Sequence, residues 1–169
     1  MRLVFLTMAA LGLSALVWAE TEAGLTWTVP AGWKNLGSRP MRVATYEAPP
    51  APGDKEPAEI VVFYFGQGQG GGVQANVDRW IGQFQDKPAS PPKPTVRTVA
   101  GMRVTTIEHK GTYLSGPPMG EKIPKPGYQL VGSIVEGPQG NVFFRLTGPA
   151  KTVEATKPAF EKMISSIRK

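Results

Sequence analysis

The sequence predicts an α+β domain, a mainly antiparallel sheet of about six to seven strands flanked by two amphipathic helices. Three observations predict it. Short stretches rich in β-branched and aromatic residues recur along the chain, each bounded by Gly or Pro. Two other stretches, Val73 to Phe84 and Phe160 to Ile167, carry apolar residues at helical spacing. Most connections between the strands are hairpin-short, which favours antiparallel neighbours.

Residues 1–19 read as a secretory signal peptide, leaving 20–169 as a single α+β domain. Arg2 supplies the positive start, Leu3 to Val17 the apolar stretch, and Val17-Trp18-Ala19 the small residues a signal peptidase needs. The apolar run is shorter than the roughly 20 residues of a membrane span. The expectation is therefore an exported chain, periplasmic or secreted, with no stable membrane insertion of the mature part.

The first strand is Leu25 to Val29, with Leu25, Trp27 and Val29 on one face; Pro30-Ala31-Gly32-Trp33 ends it in a turn. Met41 to Tyr46 alternates as a second strand. Glu59 to Phe65 is apolar on both faces, which calls for a central strand covered on both sides. After the Gly66–Gly72 loop, Val73, Val77, Trp80, Ile81 and Phe84 fall on one helical face, and Asp86-Lys87-Pro88 stops the helix. Thr95 to Val99 and Met102 to His109 form a hairpin around Ala100-Gly101, the second strand continuing as far as Tyr113 in one version. Tyr128 to Glu136 and Asn141 to Thr147 form another around Gly137–Gly140. The closing helix carries Phe160, Met163, Ile164 and Ile167 at i, i+3, i+4 and i+7, and starts at Thr156 or Thr152, with Pro158 in its first turn. Tracing the strands up and down puts the loops 48–58, 87–94 and 114–127 at a proline-rich pole, and the loops 66–72, 100–101 and 137–140 at a glycine-rich one.

Composition sets several chemistries aside. The chain has no Cys, so it has no disulfide framework, thiol nucleophile, Cys-ligated metal or lipid-anchored cysteine. Its one histidine, His109, reads as an exposed strand residue rather than a ligand or base. Asp54 and Glu56 read as solvated rather than as an acid–base pair. Lys and Arg number 19 against 13 Asp and Glu, for a net charge of +6, but neither a basic run nor a basic stripe interleaved with aromatics suggests nucleic acid. The proline-rich pole reads as nearly balanced, so the excess is expected on strand and helix surfaces. Gly66-x-Gly68-x-x-Gly71 matches a dinucleotide fingerprint literally, but a proline-rich basic segment follows it rather than a parallel strand ending in an acid. No cofactor, metal or catalytic residue is expected. Trp27 and Trp80 read as core, and Trp33 as a residue at the core's edge or exposed.

Pro30-x-Gly32-Trp33 at the end of the first strand, the Phe160-x-x-Met163-Ile164-x-Ser166-Ile167 helix and the element order resemble the PsbP-like superfamily, with its PsbP, DcrB and LpqN types, over about residues 24–168. The resemblance implies a PsbP-like sandwich and a non-catalytic accessory or binding role. The DcrB and LpqN types are usually lipid-anchored, and this chain lacks the cysteine for it.

The functional expectation is an exported, non-enzymatic domain that binds or assembles with an envelope protein or other envelope component. Its candidate contact residues lie in the long loop after Ser115: Pro117, Pro118, Met119, Lys122, Lys125 and Tyr128. The alternative is a small-molecule or lipid-binding protein with a pocket between helix and sheet, lined by Trp80, Phe84 and Phe144.

Overall fold

A computed structural model of the protein describes residues 18–88, 90, 92–117 and 119–169. Nine strands and two helices are formed among these: β1 (Trp18–Glu22), β2 (Leu25–Val29), β3 (Lys34–Asn35), β4 (Arg42–Ala48), β5 (Ala58–Tyr64), α1 (Val73–Ile81), β6 (Thr95–Val99), β7 (Met102–Ser115), β8 (Ile123–Gly137), β9 (Gly140–Pro149) and α2 (Ala150–Ser165). β1 and β2 make a separate hairpin. The other seven strands form one antiparallel sheet in the order β3-β4-β5-β9-β8-β7-β6.

The apolar strands are central, as their composition requires. β5 sits between β4 and β9, and its side chains divide between two cores. Ile60 and Val62 join Val131, Val135, Phe144 and Leu146 on one face, under Phe160, Met163 and Ile164 of α2 and Leu25, Trp27 and Val29 of β2. The other face carries Ile107, Leu130, Ile134 and Phe143 under Val77 and Trp80 of α1. The central strands thus feed both layers by their period of two.

The helix ends differ from the sequence expectation. α1 stops at Ile81 with Gly82 as its cap, and Phe84 reaches the same core from a turn that bridges to Tyr113. α2 starts at Ala150, directly after β9, so Pro158 lies inside it and not in its first turn. Pro149 gives no side-chain cap. The cap comes from the loop before β5: Asp54 Oδ2 accepts from the Thr152 N–H at 3.0 Å and from its hydroxyl at 2.6 Å. Asp54, expected to be solvated, is a helix cap supplied from across the fold.

One further correction concerns the β7–β8 connection. The segment 114–127 is not one long loop. β7 runs to Ser115 and β8 begins at Ile123, with Tyr113 opposite Lys125, Leu114 opposite Pro124 and Ser115 opposite Ile123. The register irregularity between Gly111 and Tyr113 takes in Pro126, and Pro124 lies where β8 has no β9 neighbour, so that side of the strand is an edge. At the other end of the chain, most of the expected signal peptide, residues 1–17, lies outside the described residues. Trp18 and Ala19 form the first rungs of β1; a cut after Ala19 leaves Glu20–Glu22 opposite Leu25–Trp27.

The register fixes two poles. Ala48 opposite Ala58, Tyr128 opposite Pro149 and Ser115 opposite Ile123 mark one end; Val99 opposite Met102 and Gly137 opposite Gly140 mark the other. Among the described residues, no helix is long and apolar enough to cross a membrane.

Candidate functional site

α1 is a helix of 9 residues on a seven-stranded sheet, so it covers only part of its face. Trp80 is its anchor. The indole lies directly on Gly132 of β8, where an added Cβ would come within 2.2 Å of the ring. It also meets Phe143 edge-on at 6.5 Å between centroids. Gly132 is required because the helix approaches the strand too closely for any side chain there.

Toward the proline-rich pole the same face stays open. It forms a groove of about 940 Å³ between α1, the β7–β8 hairpin and the start of β4. The floor follows from register: Glu59 and Phe63 of β5, Arg145 and Thr147 of β9, Tyr128 of β8 and Tyr113 of β7. Met41 and Arg42 form one rim; Pro117, Lys122 and Lys125 form the other.

The carboxylates of this groove are already matched. Glu59 accepts from Arg42 at 2.8 Å. Glu56 takes Lys125 at 2.8 Å and the Tyr128 hydroxyl at 2.7 Å. The two donors hold the Glu56 carboxyl below its ordinary value of 4.5, Lys125 first and Tyr128 second. Burial, followed by the same carboxylate, pushes the Tyr128 phenol up. Tyr128 stacks on Tyr113 with rings 7° from parallel, so Glu56 braces the hairpin against the loop before β5.

Three cations of the groove have no carboxylate partner among the described residues: Arg79, Lys122 and Arg145. Arg79 donates to the Asn76 side chain, and Lys122 to the carbonyls of Gly116 and Pro117. Arg145 lies over Phe63 at 5.3 Å and makes only a long bond to Gln83, 3.4 Å. Its Nε is buried with no acceptor, and so is the hydroxyl of Thr147, two residues along the same strand face. Thr147 is only 7% exposed. The groove therefore carries three of the chain's unmatched cations. Elsewhere, part of the strand and helix surface is paired, through Arg97–Glu161, Arg103–Glu136, Lys110–Glu154 and Lys157–Glu108, while Lys151 and Lys162 of α2 make no ion pair among the described residues.

The expected contact residues divide. Pro117, Lys122, Lys125 and Tyr128 line the groove, and Met119 stands fully exposed at the hairpin tip; Pro118 lies outside the described residues. The alternative trio does not come together. Trp80 and Phe84 pack under α1, whereas Phe144 points to the opposite face and meets Trp27 at 5.4 Å. Adjacent strand residues alternate faces, so a pocket built on Phe143 cannot include Phe144. His109 is half-buried, not exposed; its ring meets Phe84 edge-on at 4.6 Å and its Nε2 lacks a partner. Trp33 closes the edge of the α2-side core. The Gly66–Gly72 loop turns its carbonyls inward: those of Gly70 and Gly72 both accept from Asn76.

No protein-family model matches the chain, and no curated protein matches it. Solved structures do. The chain is similar to the solution structure of cyanobacterial PsbP (CyanoP) from Synechocystis sp. PCC 6803, with 13% identity, a TM-score of 0.54, and 95% of this chain and 96% of that one covered. A protein of unknown function from Pseudomonas aeruginosa aligns at 13% identity and a TM-score of 0.44, over 89% and 94% of the two chains. A Bacteroides thetaiotaomicron structure aligns at 10% identity and 0.42, over 87% of this chain and 46% of that one. The likeness to CyanoP shows the fold: the chain has the PsbP-like α+β architecture, as the resemblance implied.

Proposed function

We propose that the protein is an exported, non-enzymatic accessory domain that binds a partner in the cell envelope through the groove between α1 and the β7–β8 hairpin. The signal-peptide pattern of residues 1–19 supports export. One observation carries the choice of surface: an open groove of about 940 Å³ whose carboxylates are already paired and whose remaining cations are not. A surface that presents unmatched charge beside exposed apolar residues, here Met41, Met119 and Ile123, has the composition of a recognition site.

The alternative, a small-molecule or lipid pocket between helix and sheet lined by Trp80, Phe84 and Phe144, is less well supported, since Phe144 faces the other core. The recess between α1 and the sheet measures about 150 Å³, too small to enclose a lipid and with room only for a small group.

A photo-crosslinking residue at position 122 tests the proposal, with position 162 on the exposed side of α2 as control. The expected result in envelope preparations is a discrete adduct from position 122, competed by unlabelled protein and absent from 162. Equal labelling from both positions, or none from 122, contradicts it.

A further inference from the structure

The recess at the inner end of the groove has its own chemistry. It lies between α1 and strands β5 and β9 and is lined by Phe63, Phe65, Trp80 and Phe143, with Asn76, Arg79, Gln83 and Arg145. Two arginines line it, Arg145 half-buried and Arg79 exposed, and among the described residues no carboxylate lines it. Its volume of about 150 Å³ exceeds that of a single water several-fold, each water taking roughly 30 Å³.

We infer that this recess is an oxyanion site, in which Arg79 and Arg145 hold the carboxylate or phosphate group of an organic anion whose apolar body lies against Phe63 and Phe65. Three independent features converge on it. Buried or half-buried guanidinium groups are ordinarily paired, because desolvating a lone cation is costly. Arg145 breaks that rule, with a buried Nε that has no acceptor and one long bond at 3.4 Å. Second, Arg79 reaches the recess from α1 while Arg145 reaches it from β9, so the two forks approach from different layers. Planar guanidinium groups suit oxyanions because each presents parallel N–H donors. Third, the neighbouring carboxylates cannot fill the role. Glu59 is bound to Arg42, and Glu56 to Lys125 and Tyr128. The aromatic walls select against a bare inorganic ion and favour an anion with an apolar body. This inference deepens the reading of the groove as the binding surface, by naming the group that is presented to it.

Phenyl phosphate is a direct probe, with phenol and inorganic phosphate as its two halves. The Nε–H resonances of Arg79 and Arg145 are followed by nuclear magnetic resonance during titration. Saturable shifts with phenyl phosphate, weaker ones with inorganic phosphate and none with phenol are expected. Arg145→Gln should weaken phenyl phosphate binding by about tenfold or more, the usual scale for a charge-assisted hydrogen bond. Arg79→Gln, on an exposed helix position, should weaken it severalfold and keeps the test readable if Arg145→Gln does not fold. Arg145→Lys should restore part of the loss. Equal response to phenol identifies an apolar cleft and overturns the site. No saturable shift at tens of millimolar phenyl phosphate also overturns it, as does a titration that both glutamine variants leave unchanged. The cross-link from position 122 is a separate readout, so the groove reading and the oxyanion site can fail independently.

Discussion

Gly132 and Asp54 show how much single residues position. The missing side chain at 132 is what lets Trp80 lie flat on β8. Gly132→Ala places a methyl 2.2 Å from the indole, against a ring fixed by Phe143, and should lower stability by about 1–3 kcal/mol in urea unfolding. An unchanged midpoint would mean that α1 is free to lift. Asp54 caps α2 through the backbone and hydroxyl of Thr152. Asp54→Ala should cost about 0.5–2 kcal/mol, measured the same way, with Asp54→Asn recovering most of it. A loss confined to the loop, with no change in unfolding, would remove the capping role. Neither contact was legible from sequence. Val-Gly-Ser in a strand says that a glycine is present, not that a tryptophan about fifty residues upstream in the chain needs it. The link from Asp54 to Thr152 spans 98 residues.

At the scale of elements, the β7–β8 hairpin is the part that binding should depend on. The apolar alternation located every strand of the main sheet except the two-residue β3. It failed at the hairpin because Pro124 and Pro126 read as loop punctuation. They are tolerated because β8 before Tyr128 has no β9 neighbour, and Pro126 falls in the irregularity opposite Gly111–Tyr113. The same reasoning missed β1, because Trp18 and Ala19 serve equally well as the end of a signal peptide. Glu56 ties the hairpin to the loop before β5, and the sign of its linkage is definite. Its carboxyl titrates below its ordinary 4.5 in the fold, so the brace is fully present above that value and is lost as pH falls through the lowered one. Lys125→Gln should bring the Glu56 titration back toward 4.5 in carboxyl carbon spectra, leaving only the Tyr128 contribution. A titration that does not move would show that the pair is not formed in solution. Replacing residues 116–122 with Asn-Gly keeps Ser115 opposite Ile123 and shortens the connection to a two-residue turn. That variant should fold and lose the position-specific cross-linking of the groove, monitored from a probe at 41; retained labelling would exclude the hairpin tip from the contact.

For the whole molecule, the fold shows which charges are paired across elements, as composition alone could not. The chain carries +6, and the sequence suggested that the excess was spread over strands and helices. In the fold, α2 is laced to β6 and β7 by Arg97–Glu161, Lys110–Glu154 and Lys157–Glu108. The groove on the opposite side of the sheet is left with Arg79, Lys122 and Arg145 unmatched by carboxylates. Sequence could not show this, since pairing is set by strand register and helix placement rather than by spacing along the chain. The measurement that tests the central claim most directly compares two variants of equal net charge for binding to the partner captured from position 122. One is Arg79→Gln with Lys122→Gln, in the groove; the other is Lys162→Gln with Lys169→Gln, at exposed positions on and just beyond the end of α2. A loss of about tenfold or more is predicted for the groove pair, with the α2 pair close to the unaltered protein. Equal losses in the two variants would show that attraction is diffuse and that the groove is not the binding surface.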